Sequence, residues 1–418
     1  GKLKRPKAKK STDKSHYQNF TPPFDIPESW QWVRLGDYVI NRDGERVPIA
    51  STIRSKQSNK IYDYYGAAGA IDKVDNYIFD ERLLLIGEDG ANLLSRTKDN
   101  AFFADGKYWV NNHAHVLDSS DKFLLEFVAL YINTIPLDDY ITGSAQPKLS
   151  QDNLNNIHLP IPPIEEQRRI LTMIESLMSI ICEIRESKQQ LSQSIALTKS
   201  KILDLAMQGK LVPQDPADEP AAEMLRRVNP KAKIITDNPH SWNIPNTWTW
   251  CQLGDIFQHN TGKALNSSNR DGIEYEYITT SNVYWNRFEL DDLKKMPFKK
   301  NELEKCTVRH GDLLVCEGGD VGRAAIWNLD RNIMIQNHLH RLRPIANEIH
   351  IPLYYHVFRH YKDKDLIGGK GIALQGFSSK SLHQLAIPLP PYNEQKRIVA
   401  KIEELYSVLD QIEASLQS

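Results

Sequence analysis

The sequence is poor in cysteine, has no long apolar run and carries no excess of either charge, and each shortage excludes something. Cys182, Cys251, Cys306 and Cys316 are its only cysteines, and none stands in a C-x-x-C pair, so they build neither a disulfide framework nor a cysteine zinc site. They read as reduced and structural. No stretch approaches the roughly 20 apolar residues that span a bilayer, and the chain starts basic and polar, without a signal-peptide core. A soluble, cytoplasmic protein is expected. Lysine and arginine number 52 against 53 aspartates and glutamates, a net charge of −1, which lacks the positive excess of most stand-alone nucleic-acid binders. Any phosphate contact then depends on local charge, or on partners that bring their own.

Catalytic loops are missing as well. There is no G-x-x-x-x-G-K-[ST] phosphate loop, and EGGDVGR at 317–323 has neither its spacing nor its lysine, so a turn or bulge explains that run better. An amino-methyltransferase needs an Asn/Asp-Pro-Pro-aromatic loop, but Pro390-Pro391-Tyr392 follows Leu389. Neither a nucleotide motor nor a stand-alone methyl transferase is expected. With 418 residues, 40% of them hydrophobic, the chain is long enough for two or three domains, each with its own core.

What is present is a repeat. IPESWQWVRLGD at 26–37 returns as IPNTWTWCQLGD at 244–255, and LPIPPIEEQRRI at 159–170 returns as IPLPPYNEQKRI at 387–398. NNHAHVL at 111–117 matches QNHLHRL at 336–342, and PKAKKSTD at 6–13 matches PKAKIITD at 230–237. Four matches in one order are two copies of a unit far longer than a solenoid repeat, so each copy is a domain. The frames agree while the interiors differ, as in a scaffold carrying two specificities, although drift gives the same contrast. The interiors mix short apolar runs such as 82–86, 108–110, 275–280 and 312–316 with helical stretches at 121–132 and 352–361, which predicts α+β domains with twisted, partly barrel-like sheets.

Heptad spacing marks two helices. Ile174, Leu177, Ile181, Ile184, Leu191, Ile195, Ile202 and Leu205 follow alternating steps of three and four, broken at Lys188 and Thr198. Ile398, Ile402, Leu405, Leu409, Ile412 and Leu416 repeat the rhythm. The spacing predicts coiled-coil helices packed antiparallel, the first of about 40 residues and so roughly 60 Å long. Ordinary amphipathic helices packed on their own domains are the alternative. In LPIPPIEEQ the prolines suit a first helical turn, and Glu165, Glu166 and Glu394 sit near the positive end of the helix dipole.

The LP[IL]PPxxEQxRI motif, with Ile387 for the first Leu in the second copy, the IPxxWxWxxLGD motif in both copies and LDLAMQGKLVPQDPADEPA beginning at Leu203 resemble the specificity subunit of Type I restriction-modification systems. The resemblance covers essentially the whole chain. It implies a basic linker at 1–23, a target recognition domain at 24–163, a central spacer helix at 164–208, a linker at 209–243, a second target recognition domain at 244–391 and a distal spacer helix at 392–418. By the family pattern the chain, which opens on Gly1, starts inside a linker that follows a helix, and the N-terminus and distal helix are expected to be shortened. The implied protein is a non-catalytic DNA-binding subunit whose two recognition domains each read one half of an asymmetric bipartite site in double-stranded DNA. The helices would set the spacing, with the half-sites in inverted orientation, and dock two modification (methyltransferase) subunits, restriction/translocase subunits joining for cleavage. The resemblance puts no cofactor on this chain, S-adenosylmethionine, ATP and Mg being expected on the partners. The holoenzyme would be an adenine-specific methyltransferase and ATP-dependent endonuclease.

Loops mixing Lys or Arg with Asn, Gln, Ser and Tyr are the candidates for DNA contact. They offer Lys107, Tyr108, Asn111, Asn112, Ser144, Gln146 and Lys148 in the first copy. The second offers Lys263, Asn266, Arg270, Arg323, Gln336, Lys370, Gln375 and Ser378. Each residue also has the plainer reading of a solvated surface group. The pairs His113/His115 and His338/His340 invite a metal reading, because alternate strand residues share a face, but no further ligands are evident nearby, so no metal is expected and a structural or DNA-proximal strand is the better reading. Two rival readings remain: a coiled-coil scaffold whose globular heads bind proteins, and a self-sufficient DNA-modifying enzyme.

Overall fold

The computed structural model describes residues 21–143, 146–264, 271–367 and 378–417. The chain divides between Glu183 and Ile184 into two compact units. In the first, strands β1 (Gln31–Arg34) and β10 (His158–Ile161) pair antiparallel, Trp32 opposite Pro160. Between them lie two four-stranded sheets. One has the order β2 (Ile40–Asn41), β9 (Ala114–Asp118), β6 (Leu83–Gly87), β7 (Ala101–Ala104), and the other β4 (Gly69–Val74), β3 (Tyr62–Gly66), β8 (Lys107–Val110), β5 (Phe79–Asp80).

The uninterrupted apolar run of β6 follows from burial on both faces, which removes the usual alternation with polar residues. Leu84 and Ile86 face one core with Leu125, Val128 and Ile132 of helix Phe123–Thr134, while Leu83 and Leu85 face another with Phe79, Tyr108 and Val116.

The second unit repeats this plan. Strands β11 (Thr249–Gln252) and β22 (Ala386–Leu389) pair antiparallel with Trp250 opposite Pro388. One sheet runs β12 (Phe257–Thr261), β21 (Leu339–Pro344), β18 (Leu313–Cys316), β19 (Ala324–Ile326), and the other β16 (Lys294–Phe298), β13 (Ile273–Ile278), β20 (Ile333–Ile335), β17 (Thr307–Val308). A small hairpin of β14 (Val283–Tyr284) and β15 (Arg287–Phe288) is added. Here Leu313 and Val315 of β18 enter one core, Leu314 and Cys316 another. Among the described residues no sheet closes into a barrel; both units are α+β with open sheets.

The repeated motifs are therefore the two ends of each domain clasped together. In both copies the Leu-Gly-Asp glycine lies where a neighbouring short helix leaves no room: a Cβ on Gly36 would meet Asn155 at 2.8 Å, and one on Gly254 would meet His383 at 2.0 Å. The motif glutamine closes the following helix start, because Gln167 Nε2 donates to Pro162 O at 2.8 Å and Gln395 Nε2 to Pro390 O at 2.9 Å. Glu394 adds an anchor by accepting from Trp248 Nε1 at 2.9 Å.

The central helix runs Ile164–Met207 and the distal helix Tyr392–Gln417. In the second unit they meet antiparallel: Lys199 Nζ pairs with Asp410 at 2.6 Å and Glu413 at 3.0 Å, and Tyr406 OH donates to Lys199 O, while Ser192 and Lys188 flank Glu413 and Leu416. Ile195, Ile202, Ile398 and Ile402 are buried, and Leu205, Leu405, Leu409 and Leu416 half-buried. The rest of the expected seam is not covered: Leu177, Ile181, Ile184, Leu191 and Ile412 are exposed and Ile174 half-buried. Ile174, Leu177, Ile181 and Ile184 precede Lys188 and Ser192, the part of the central helix beside Glu413 and Leu416.

Candidate nucleic-acid interface

At one end of the first unit, three loops meet where β6 leaves the sheet and β9 enters it. Backbone bonds lace them together: Glu88 N–H donates to His113 O, Gly90 N–H to Pro147 O, and Leu149 N–H to Glu88 O, at 2.8–3.0 Å. Beneath them lies an ionic network. Arg46 Nη1 bonds Glu88 at 2.6 Å and Ala114 O at 2.8 Å, and its Nη2 reaches Asp43 at 3.3 Å. His115, fully buried, places Nδ1 2.6 Å from Asp43 Oδ2 and Nε2 2.8 Å from Leu149 O. Burial alone would raise the Asp43 carboxyl, but the His115 bond and charge, the Val116 N–H and Arg46 hold it below its ordinary value. Glu88 behaves alike: burial is outweighed by Arg46, His115 and Lys148.

On this base the exposed groups are Asn112, His113, Gln146 and Lys148, with Lys148 Nζ 3.2 Å from Glu88. His113 Nδ1 lies 2.7 Å from Asp89. Cations, amides and imidazole on one strand end offer donors to phosphate and both donors and acceptors to base edges.

The same end of the second unit is built from Glu317, Asn337, His338 and the loop that closes on Arg323. Glu317 N–H donates to His338 O, Asn337 N–H to Lys263 O, and Cys316 N–H to Arg323 O. Arg323 donates from Nη2 to Thr280 O and lies over the Tyr284 ring, 5.1 Å from its centre. His340 is again fully buried, but its partner is His259, at 2.9 Å, in place of a carboxylate.

The structure thus gathers Asn111, Asn112, Gln146 and Lys148 in the first unit and Lys263, Arg323 and Gln336 in the second. Several of these side chains are engaged in holding the fold. Asn111 is buried and its Oδ1 accepts from His113 N–H, and Gln336 does the same with His338 N–H, so both shape turns. Lys263 donates to Glu302 and Pro297 O and is largely covered. Ser378 caps helix Ser379–His383, its Oγ accepting from Ser381 N–H, as Ser150 caps Gln151–Asn155. Lys107 is exposed at the opposite end of β8, over the Tyr77 ring and 3.9 Å from Asp80.

Tyr108 differs from the expectation altogether: it is core, packed against Phe79 and Tyr65, with no partner for its hydroxyl among the described residues. Tyr108→Ala is expected to cost about 3–5 kcal/mol, and Tyr108→Phe almost nothing, because no hydrogen bond is lost. Urea unfolding of the three proteins checks this. Ser144, Asn266, Arg270, Lys370 and Gln375 lie outside the described residues.

Asp43, Glu88 and His115 bring ligand atoms within 4.8 Å of one another, yet the Arg46 guanidinium already pairs with both carboxylates and both ring nitrogens have partners, which describes an ion-pair network better than a cation cage. The His-x-His pairs do not share a face, because β9 begins at Ala114 and β21 at Leu339, leaving His113 and His338 in the preceding turns.

The profile described as the Type I restriction modification DNA specificity domain matches residues 27–193 and again 245–418, most of the chain. The chain belongs to this specificity family. It is similar to the Type I restriction enzyme EcoEI specificity subunit of Escherichia coli, 23% identical over 504 aligned residues that cover 100% of this chain and 84% of that protein. It is also similar to the Type I restriction enzyme MjaVIII specificity subunit of Methanocaldococcus jannaschii, 20% identical over 408 residues, covering 92% and 88%. In fold it resembles the HsdS subunit from Thermoanaerobacter tengcongensis, with a TM-score of 0.58, 19% identity and 94% and 95% of the two chains covered.

As a specificity subunit the chain is the DNA-recognition part of such a system and not its catalytic part. Among the described residues no helix is long and apolar enough to cross a membrane. Sequence reasoning passed over Arg46, Glu88 and Asn337 of this specificity subunit, and read His113 and His115 as part of a structural or DNA-proximal strand ahead of a metal site. The signal was there in part, since the histidine pairs recur at the same place in both copies.

Proposed function

We propose that this specificity subunit reads an asymmetric bipartite site in double-stranded DNA, each recognition domain taking one half through the loops at the strand end described above. The functional boundaries are 24–163 and 244–391, with the helices at 164–208 and 392–418 setting the gap between half-sites and docking two modification subunits. Restriction/translocase subunits join that assembly in the cytoplasm, and S-adenosylmethionine, ATP and Mg belong to the partners. One observation carries the reading: the same framework occurs twice and presents the same Asn-His pair, Asn112/His113 and Asn337/His338, while the side chains beside it at that loop end differ, Gln146 and Lys148 in one copy and Arg323 in the other. Base-edge readout depends on such side chains, and phosphate contact does not distinguish sequences.

Exchanging residues 24–157 for the matching segment of another specificity subunit tests this. One half of the methylated motif is expected to change and the other to stay. A motif altered in both halves, or in neither, would contradict the division of labour.

A further inference from the structure

Deep in the first unit, the His115 ring bridges two acceptors. Its Nε2 faces the Leu149 carbonyl at 2.8 Å and its Nδ1 faces the Asp43 carboxylate at 2.6 Å. A carbonyl only accepts, and Asp43, held below its ordinary pKa, is an ionised acceptor too. A neutral imidazole has a single N–H and must leave one of these bonds unmade. The charged groups facing the ring are Asp43 and Arg46 from the segment after β2, Glu88 from the end of β6, 3.8 Å from Nδ1, and Lys148, which pairs with Glu88. His113, two residues earlier, is turned away onto Asp89.

The ring is also the hinge pin of the reading surface. Leu149 follows Lys148, and its carbonyl is held by His115 while its N–H is held by Glu88 O. Lys148 is in turn bridged to Asp89 and Thr142. We propose that His115 is a positioning residue whose ring, held between the Asp43 carboxylate and the Leu149 carbonyl, locks the Pro147–Leu149 strip and so sets how faithfully the first domain reads its half-site. The inference rests on the DNA-recognition reading above. The second unit supplies a built-in comparison, because there His340 meets His259, and one neutral ring can donate while the other accepts.

The experiment uses the full chain assembled with its modification subunit, with binding to duplexes that carry the mapped site or a mismatch in one half. His115→Gln should lower first-half discrimination about tenfold, the worth of one buried hydrogen bond, and leave discrimination by the second half as it was. Asp43→Asn is the decisive companion: its amide can still bond Nδ1 while Nε2–H donates to Leu149 O, so first-half discrimination should stay high. Should His115→Gln fail to fold, Asp43→Asn still decides, because a first-half loss there contradicts a role carried by the bond to Leu149 O. Unchanged first-half discrimination in His115→Gln, equal loss in both halves, or a first-half loss in Asp43→Asn would overturn the inference. A wild-type assembly that distinguishes neither half-site overturns the recognition reading itself, and this inference with it.

Discussion

A heptad inserted after Arg185 is expected to change the gap between the two half-sites and to leave both half-site sequences as they were. Residues 175–194 of the central helix are all exposed, so the insertion disturbs no core of either unit and none of the ion pairs at Lys199. Seven residues add about 10.5 Å of helix, which at about 3.4 Å per base pair is roughly three base pairs. They also return the helix to nearly the same face, with about 20° of drift. Inserting four residues lengthens the rod less but turns the face further, and should impair assembly more. The check is the methylated motif produced by each variant. New half-site sequences would mean that the helix takes part in reading bases, which the proposed division of labour excludes.

Mild acid is expected to weaken the second unit selectively. His356 and His360, both buried on helix Ile351–Asp363, and His259 on β12 are each pushed down to about 4. The first cause in every case is burial, which disfavours the charged ring; at His259 the nearby His340 adds to it, and at His360 the Asp204 carboxylate works against it. A folded pKa below the unfolded value means that the unfolded chain binds more protons between the two. Stability is therefore full above about pH 6.5 and declines as pH falls towards 4. For His356 the difference is about 3 kcal/mol.

The shifted carboxylates of the first unit act lower: Asp43 and Glu88 stabilise above their unfolded values and lose that contribution only as pH falls through still lower folded ones. Urea midpoints followed by tryptophan fluorescence from pH 7 to about pH 4.5 should show the decline, and His356→Phe should make it shallower. A flat profile would show that these rings are not neutral in the folded chain.

The frame of this protein was legible in its sequence for a physical reason. Ile-Pro, the tryptophans, Leu-Gly-Asp and the Pro-Pro-x-x-Glu-Gln segment lie on two strands that pair with each other in both copies, with one glycine under a tight helix contact and one glutamine closing a helix start. Such constraints act between near neighbours and leave a repeatable trace. The interior left less. Tyr108 and Trp109 are adjacent and both fit a polar-rich loop, but strand alternation sends Tyr108 into the core, while Trp109 reaches Val47 O with its indole N–H.

Lys263 looked like a free cation because Glu302 is 39 residues away in sequence. Asn111 and Gln336 looked like base readers because nothing in a sequence says that a side-chain carbonyl has folded back onto the backbone two residues on. The heptad rhythm announced helices correctly but not the extent of their contact, which depends on how far the distal helix Tyr392–Gln417 reaches along the central one.

The most direct measurement is genome-wide methylation mapping in cells carrying this chain with its cognate modification subunit, against cells that lack the chain. A bipartite, adenine-methylated motif present only with the chain is the predicted result. The same methylation in both cell lines, with the chain folded and the modification subunit active, would contradict its role as the reader of sequence.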